Sequence, residues 1–345
     1  LQDFHPSYRE KYLPYTLPEG LLDWLQGSIG EGLVEEGAFL WRGSLKSGEG
    51  ARRTVQLAFN LSDTDVDYDQ QWPPVTLGQG SVLIDDTDVS VWADSATLYD
   101  SSVQDVSVET VVNAASQTVL SLRADVHGPA GDGLRILNET ALTTTVGGAF
   151  GRWQADGDLQ AGLYLQLQLS QDPPPPVVDV RARLASVDLL IAPGDLPLTA
   201  VNGEFTYSTR TGFSSEGLGG ELWGQPVTAG VRQYHAAGSN RYTAGSSEVH
   251  VNFDSRAKMA QVQRWLGLDF LRLASGAADV SGSVRLVPGQ PPALHMGSDL
   301  VGVSLDLPQP WQKAAGDSRQ LSFVMPLSSG GDPLSLDLAP DLKLR

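Results

Sequence analysis

Few residues in this chain have the types and spacing that chemistry requires. The five histidines, His5, His127, His235, His250 and His295, are scattered, and none has a second His, Asp or Glu at metal-ligand spacing. A lone histidine on a strand is more often structural or solvated than catalytic. There is no HExxH, Walker loop, GxSxG or GxGxxG string. Asp63, Asp65, Asp67 and Asp69 alternate, and alternate carboxylates on one strand face could gather Ca²⁺. The stretch lacks the glycine and closing glutamate of an EF-hand loop, so it reads as a solvated outer strand face that also discourages edge pairing. Asp85, Asp86 and Asp88 read as a hairpin tip. Trp24 and Trp265 fall on amphipathic helical stripes and are expected to cover a sheet end or the mouth of a groove. Trp41, Trp92, Trp153 and Trp223 stand in strand-like context, as packing anchors rather than a sugar-stacking platform. Asn60-Leu61-Ser62 and Asn138-Glu139-Thr140 match the glycosylation pattern, which would carry no meaning if the protein were bacterial. The expectation is no catalytic residue, no metal site and no cofactor.

The elements that would position any site are strands. Leu159, Ala161, Leu163, Leu165, Leu167 and Leu169 fall on one face of a period-two run, with Gln160, Tyr164, Gln166 and Gln168 on the other. A helix cannot segregate that pattern and a strand does. The same alternation recurs at Val55, Leu57, Phe59 and Leu61, at Val178, Val180, Ala182 and Leu184, and at Val249, Val251 and Phe253. It recurs again at Val301, Val303, Leu305 and Leu307 and at Leu334, Leu336 and Leu338. Asp85-Asp86, Gly128-Pro129, Gly219-Gly220, Gly289-Gln290-Pro291 and Gly330-Gly331 are the turn signals between runs. Strands in succession without crossover helices imply antiparallel meanders. Three stretches read as helix: Leu17 to Ile29 with Pro18 in the first turn, Asp132 to Asn138, and Ser255 to Leu266 with Asp254 or Ser255 as N-cap.

The chain reads as one continuous repeated segment over residues 1–345, with possible seams near 128–134, 171–177 and 254–276. Pro173-Pro174-Pro175-Pro176 is stiff polyproline II and marks a long connection or a seam. Two internal echoes support repetition. Trp72-Pro73-Pro74-Val75 with the run to Ile84 resembles Leu196-Pro197-Leu198-Thr199 with the run to Tyr207, and Trp24-Leu25 before Gly37–Gly43 resembles Trp265-Leu266 before Gly276–Gly282.

Composition bounds the partners. Lys and Arg total 23 against 41 Asp and Glu, a net charge of −18. That charge repels nucleic acid and anionic headgroups, but not acyl chains, which carry none. The absence of Cys excludes a disulfide framework and thiolate metal sites, and is compatible with the cytoplasm or a Gram-negative periplasm. No apolar run reaches the ~18 residues of a membrane helix. The chain starts without Met and stops inside a pattern, as an internal segment would. Turn spacing suggests about 18–22 strands, beyond the usual sheet size. So long a one-sided sheet must curl, and then either fills its own interior as a sandwich or solenoid or leaves a trough.

Several strings resemble the YhdP-type branch of the AsmA-like family. They are Tyr12-Leu13-Pro14 through Leu17-Pro18-Glu19-Gly20-Leu21-Leu22-Asp23-Trp24-Leu25 to Glu35-Glu36-Gly37-Ala38-Phe39-Leu40-Trp41-Arg42-Gly43, Val66-Asp67-Tyr68 with Trp72-Pro73-Pro74-Val75, Gly133-Leu134-Arg135-Ile136-Leu137, Leu189-Leu190-Ile191-Ala192-Pro193 and Leu305-Asp306-Leu307-Pro308-Gln309-Pro310-Trp311-Gln312-Lys313. The likeness runs over essentially the whole chain in matching order; Pro310-Trp311-Gln312-Lys313 departs from the expected Pro-Leu-Gly-Lys type. The resemblance implies a mainly β protein: a long, strongly curved antiparallel sheet forming a U-shaped apolar groove with two or three short helices. It implies an internal periplasmic segment of a protein anchored in the inner membrane of Gram-negative bacteria. It implies a part in moving phospholipid towards the outer membrane and in the outer-membrane permeability barrier. Phospholipid is then the expected partner, with envelope proteins at the ends of the full groove and no nucleic acid.

The candidate groove lining is Val55, Leu57, Phe59, Leu61, Leu159, Leu163, Leu165, Leu167, Val178, Val180, Val249, Val251, Phe253, Val301 and Val303. The competing expectation is a closed β-solenoid or sandwich scaffold of the envelope without lipid. A third, weaker reading is a polysaccharide-active or adhesive protein using Trp and Asp.

Overall fold

A computed structural model of the chain describes residues 2–4, 19–43, 53–140, 142–143, 150–170, 173–192, 194–235, 247–287, 290, 292–327, 334–339 and 342–344. Nineteen strands and three α-helices can be followed among these residues, and the protein is mainly β. The chain divides into two compact units, Leu1–Asp132 with Glu139–Ala141 and Leu159–Ala182, and Gly133–Asn138 with Leu142–Asp158 and Arg183–Arg345.

The first unit is an antiparallel meander. Its strands are β1 (Gln2–Phe4), β2 (Leu33–Gly43), β3 (Arg53–Val66), β4 (Val75–Asp85), β5 (Asp88–Leu98), β6 (Ser101–Val112) and β7 (Thr118–Pro129), each paired with the next. Helix α1 (Glu19–Ser28) lies in the connection between β1 and β2, and α2 (Ala130–Glu139) follows β7 directly. The buried Asp132 carboxylate accepts from the Ser101 hydroxyl at 2.6 Å and the Asp100 N–H at 3.0 Å, which fastens the start of α2 to the β5–β6 turn. Strand β8 (Gln154–Leu169) and the tetraproline stretch then lead to β9 (Val177–Ile191).

The second unit repeats the plan. Strands β10 (Leu196–Ser208), β11 (Gly212–Leu222), β12 (Gln225–His235), β13 (Ser247–Lys258), β14 (Ala274–Leu286) and β15 (Ala293–Ser298) pair in order. Strands β17 (Leu321–Pro326), β18 (Ser335–Leu338) and β19 (Leu342–Leu344) continue the sheet from β15. The short β16 (Val303–Leu305) leaves that order and pairs with the start of β14. Helix α3 (Met259–Leu266) sits between the paired strands β13 and β14, as α1 sits between β1 and β2. Among the described residues six strands lie between α1 and α2 and six between α2 and α3. The Trp24 and Trp265 echo thus marks helices in equivalent places.

Four expectations need correction. The helix expected from Ser255 starts at Met259, because Asp254 to Lys258 stay paired with Ala277 to Ser281; ladder hydrogen bonds outweigh the helical stripe there. Gly219-Gly220 is no turn but lies inside β11, where a Cβ on Gly220 would press on Val201 at 3.1 Å. The run from Val301 to Leu307 gives only the three-residue β16, because Leu300 and Gly302 adopt φ of 52° and 97° and break the extended chain. Trp92 is no packing anchor: it lies on the polar side of β5 and is 43 % exposed. Pro18, Gly289, Pro291, Gly330-Gly331, His5 and the side chain of Trp24 lie outside the described residues.

The loop between β15 and β17 is held by one buried cation. Lys313 Nζ donates to the carbonyls of Leu300, Val303 and Ala314 at 2.8, 2.7 and 3.0 Å. Arg319 donates to the Trp311 carbonyl at 2.9 Å beside it. Burial lowers the Lys313 pKa from the ordinary lysine value. The unfolded chain therefore keeps this proton to higher pH than the folded one, and the penalty is relieved as pH rises between the two values. Lys313→Met should cost about 2–4 kcal/mol in urea unfolding at neutral pH by orphaning carbonyls, and should abolish that alkaline gain.

Candidate functional site

Cross-strand register assembles the alternating residues into rows. In the first unit Gly37, Phe59, Val82, Val91, Val108 and Leu122 stand opposite one another across β2 to β7. Phe39, Leu57, Ile84 and Val89 form the next row on the same face. One residue away, on the other face, runs Asn60, Ser81, Trp92, Ser107 and Arg123. Directly opposed residues share a face, so each unit carries one apolar and one polar side.

The second unit does the same over more strands. Leu218, Ala229, Phe253, Gly282, Met296, Phe323, Leu336 and Leu344 form one row from β11 to β19. Val231, Val251, Val284, Leu294 and Met325 form its neighbour. On the other face, one residue beyond the Phe253 row, run Thr228, Asp254, Ser281, Gly297, Ser322, Asp337 and Lys343. The Phe253 ring fills the space where a side chain on Gly282 would stand, so that glycine keeps the row level.

The candidate residues largely lie on these faces. Val55, Leu57 and Leu61 are buried and Phe59 is half-buried on the apolar side of β3. Leu159, Leu163, Leu165 and Leu167 are half-buried along β8. The Arg123 guanidinium lies 5.1 Å over the Tyr164 ring, which puts Tyr164 on the polar side and Leu163 and Leu165 on the apolar one. Val178 and Val180 are half-buried and share their strand face with the buried Ala182. Val249, Val251 and Phe253 are half-buried in β13. Val301 is 45 % exposed in a turn, and Val303 is fully buried in the cluster of Ala278, Leu300 and Leu338, so these two do not join the strand rows.

Sequence reasoning missed Val82, Val91, Val108, Leu122, Val284, Met296, Phe323 and Met325. Period two was legible at Val89-Val91-Ala93 and Val106-Val108, but valines on both sides of bulges blur it. It also missed that Glu248 shares a strand face with His250. Their side chains meet at 3.0 Å, and this hydrogen bond, with Arg285 nearby, holds the Glu248 carboxyl below its usual value. The pair lies on the polar side beside Tyr234. Asp65 on the first unit's rim accepts from the Thr76 hydroxyl at 2.7 Å. Among the described residues no three His, Cys, Asp or Glu side chains gather as metal ligands, and no helix is long and apolar enough to cross a membrane.

The helices touch the apolar faces. Leu25 of α1 is 4 % exposed over Leu57 and Ile84. Trp265 of α3 packs its ring 5.5 Å from Trp223 and 6.2 Å from Phe323. Away from these covers the face is mixed: Leu61, Leu77, Ala93, Val103 and Ala124 form a further buried cluster, Leu294 is buried, and Val91, Val108, Leu163, Leu165, Val251 and Phe253 are half-buried.

One-sided antiparallel sheets with long, partly open apolar rows define a class of β proteins whose face, rather than a point site, is the chemically distinctive feature. This chain belongs to the YhdP protein family, which matches it over residues 1–345. A curated relative is the "Intermembrane phospholipid transporter YhdP" of Escherichia coli (strain K12), 24% identical over 317 residues that make up 89% of this chain and 24% of that protein. The chain thus spans about a quarter of the length of the relative it matches. No solved structure matches it.

Covered and open parts of the face should respond differently to truncation. Leu57→Ala, under Leu25, should lose about 2–4 kcal/mol in urea unfolding, whereas Leu165→Ala on the open stretch should lose about 1 kcal/mol. Equal losses would mean that β8 is packed as a closed core.

Proposed function

We propose that this chain is a non-enzymatic stretch of a conduit that shields phospholipid acyl chains on its apolar β face during transport between membranes. The observation that carries the reading is the set of continuous apolar rows in which Val91, Val108, Leu163, Leu165, Val251 and Phe253 stay half-buried, although Leu57, Ile84, Leu294 and Phe323 are buried. An ordinary sandwich core would bury Leu163, Leu165, Val251 and Phe253, so their exposure favours the conduit over the closed scaffold. Each acyl CH₂ withdrawn from water contributes about 0.8 kcal/mol. A face made of similar rows offers similar energy at successive positions, so a lipid can advance without a deep local minimum. The polar rows behind it, in a chain of net charge −18, keep the outer side solvated.

The family and the E. coli relative support phospholipid as the cargo. In this reading the segment works in the periplasm as part of a longer protein anchored in the inner membrane. It supplies the outer membrane and so supports its permeability barrier, with envelope proteins as partners at the ends of the full groove. In this reading the Trp residues and the alternating Asp residues do not form a polysaccharide-active or adhesive site.

A photocrosslinking residue at Leu165 of the full-length protein should label phospholipid in cells, and the same residue at Gln166, on the opposite face, should not. Leu165→Asp should leave the fold intact and stop lipid delivery. Equal labelling of the two faces, or none, would refute the conduit.

A further inference from the structure

Trp265 joins three parts of the second unit that sheet order keeps apart. Its indole N–H donates to the Gly194 carbonyl in the turn between β9 and β10. Its ring meets Trp223 at the β11–β12 turn and Phe323 in β17. A Cβ on Gly194 would stand 3.0 Å from the terminal methyl of Met325, also in β17. Between β10 and β17 lie six steps of strand pairing, about 29 Å in a flat sheet. The sheet of this unit is therefore curled until its two sides meet, and the Trp265 ring stands where they meet. Phe323 belongs to the row of Met296 and Leu336, so the ring occupies surface that an acyl chain would otherwise cover.

The helix that carries Trp265 is anchored at its start, where Met259 packs against the buried cluster of Ala278, Leu300, Val303 and Leu338, and is held further along by few contacts. It has eight residues, and none is fully buried. Leu25 of α1, by contrast, is buried in its cluster. Helix α3 starts at Lys258 without a side-chain cap and ends at Gly267 with φ 66°, a left-handed joint that glycine adopts freely. Apart from the Trp265 bond, Gln261 Nε2 donates to the Trp223 carbonyl at 2.6 Å. The Gln261 Oε1 atom is buried and has no partner among the described residues.

We propose that α3 is a gate across the apolar face of the second unit, with Trp265 as its plug, pivoting at Lys258 and Gly267 to admit acyl chains. The gate rests on the conduit reading of the preceding subsection. Docked, it interrupts the row at Phe323; lifted, it frees that row and leaves Gln261 Oε1 to water.

The chain has no cysteine, so a Trp223→Cys, Gln261→Cys pair in the full-length protein can be bridged by a thiol-cleavable bismaleimide to hold the gate down. Photocrosslinking residues at Val251 and Val284, in the row beside that of Phe323, read lipid on the face of the second unit, and one at Leu165 reads the first unit. Locking should remove phospholipid labelling at Val251 and Val284 and keep it at Leu165, and cleavage of the bridge should restore it. Trp265→Ala should raise labelling at Val251 and Val284 roughly three- to tenfold, as expected when a ring contact and a hydrogen bond are lost from one of two states, with Trp265→Phe in between. Labelling at Val251 that ignores the lock while Leu165 is labelled overturns the gate and leaves the conduit. No labelling at any of the three positions overturns both.

Discussion

The pairing register of one-sided strands is the constraint on which the rest of this protein depends. Phe253 faces Gly282 and Met296 only because β13, β14 and β15 are aligned to the residue. A slip of one position between β13 and β14 would set Phe253 against Ser281 or Ser283 and turn the apolar side of one strand to the polar side of its neighbour. Long ladders make such slips costly, since every pair along β3 and β4 or β13 and β14 would change partner together. Alternation is thus both the folding instruction and the means by which a continuous apolar surface is built without a point site.

That surface must be kept open without collapsing. Where an apolar face meets a second sheet it becomes a core, and where it meets water alone it invites aggregation. This protein uses short helices between paired strands as partial covers. Leu25 closes one region over Leu57 and Ile84, while Trp265 meets the other through contacts at its rim. A glycine within the row, Gly282, lets its large neighbour Phe253 lie across the face instead of standing up from it. The turns are pinned separately, by Asp132 at the β5–β6 turn and by Lys313 in the long loop after β15. The polar rows take up hydrogen bonds across strands, such as Ser281 to Asp254 at 2.6 Å and Ser81 to Asn60 at 3.0 Å. These tie register on the outer side without placing anything on the apolar one.

The amino-acid sequence by itself determined the mainly β class, the period-two alternation of most long strands and the family. Period two is a local property: the parity of Leu163, Leu165 and Leu167 is fixed by the backbone whatever lies beside β8. Helix ends and turns were less legible, because tertiary pairing decided them. Asp254 to Lys258 read as a helical start until β14 claimed them, Gly219-Gly220 read as a turn until β10 and β12 flanked it, and Val301 read as a strand residue although Leu300 and Gly302 bend the chain there. His250 looked solitary because its partner Glu248 becomes a neighbour only once the strand is extended. What only the tertiary structure decided is which parts of the apolar face are covered and which stay open. That depends on contacts between residues far apart in sequence, such as Trp265 with Gly194 and Phe323, and on the curl that brings Gly194 to Met325. Curl accumulates over many strand pairs, each contributing a small twist, and no local pattern of residues records the sum.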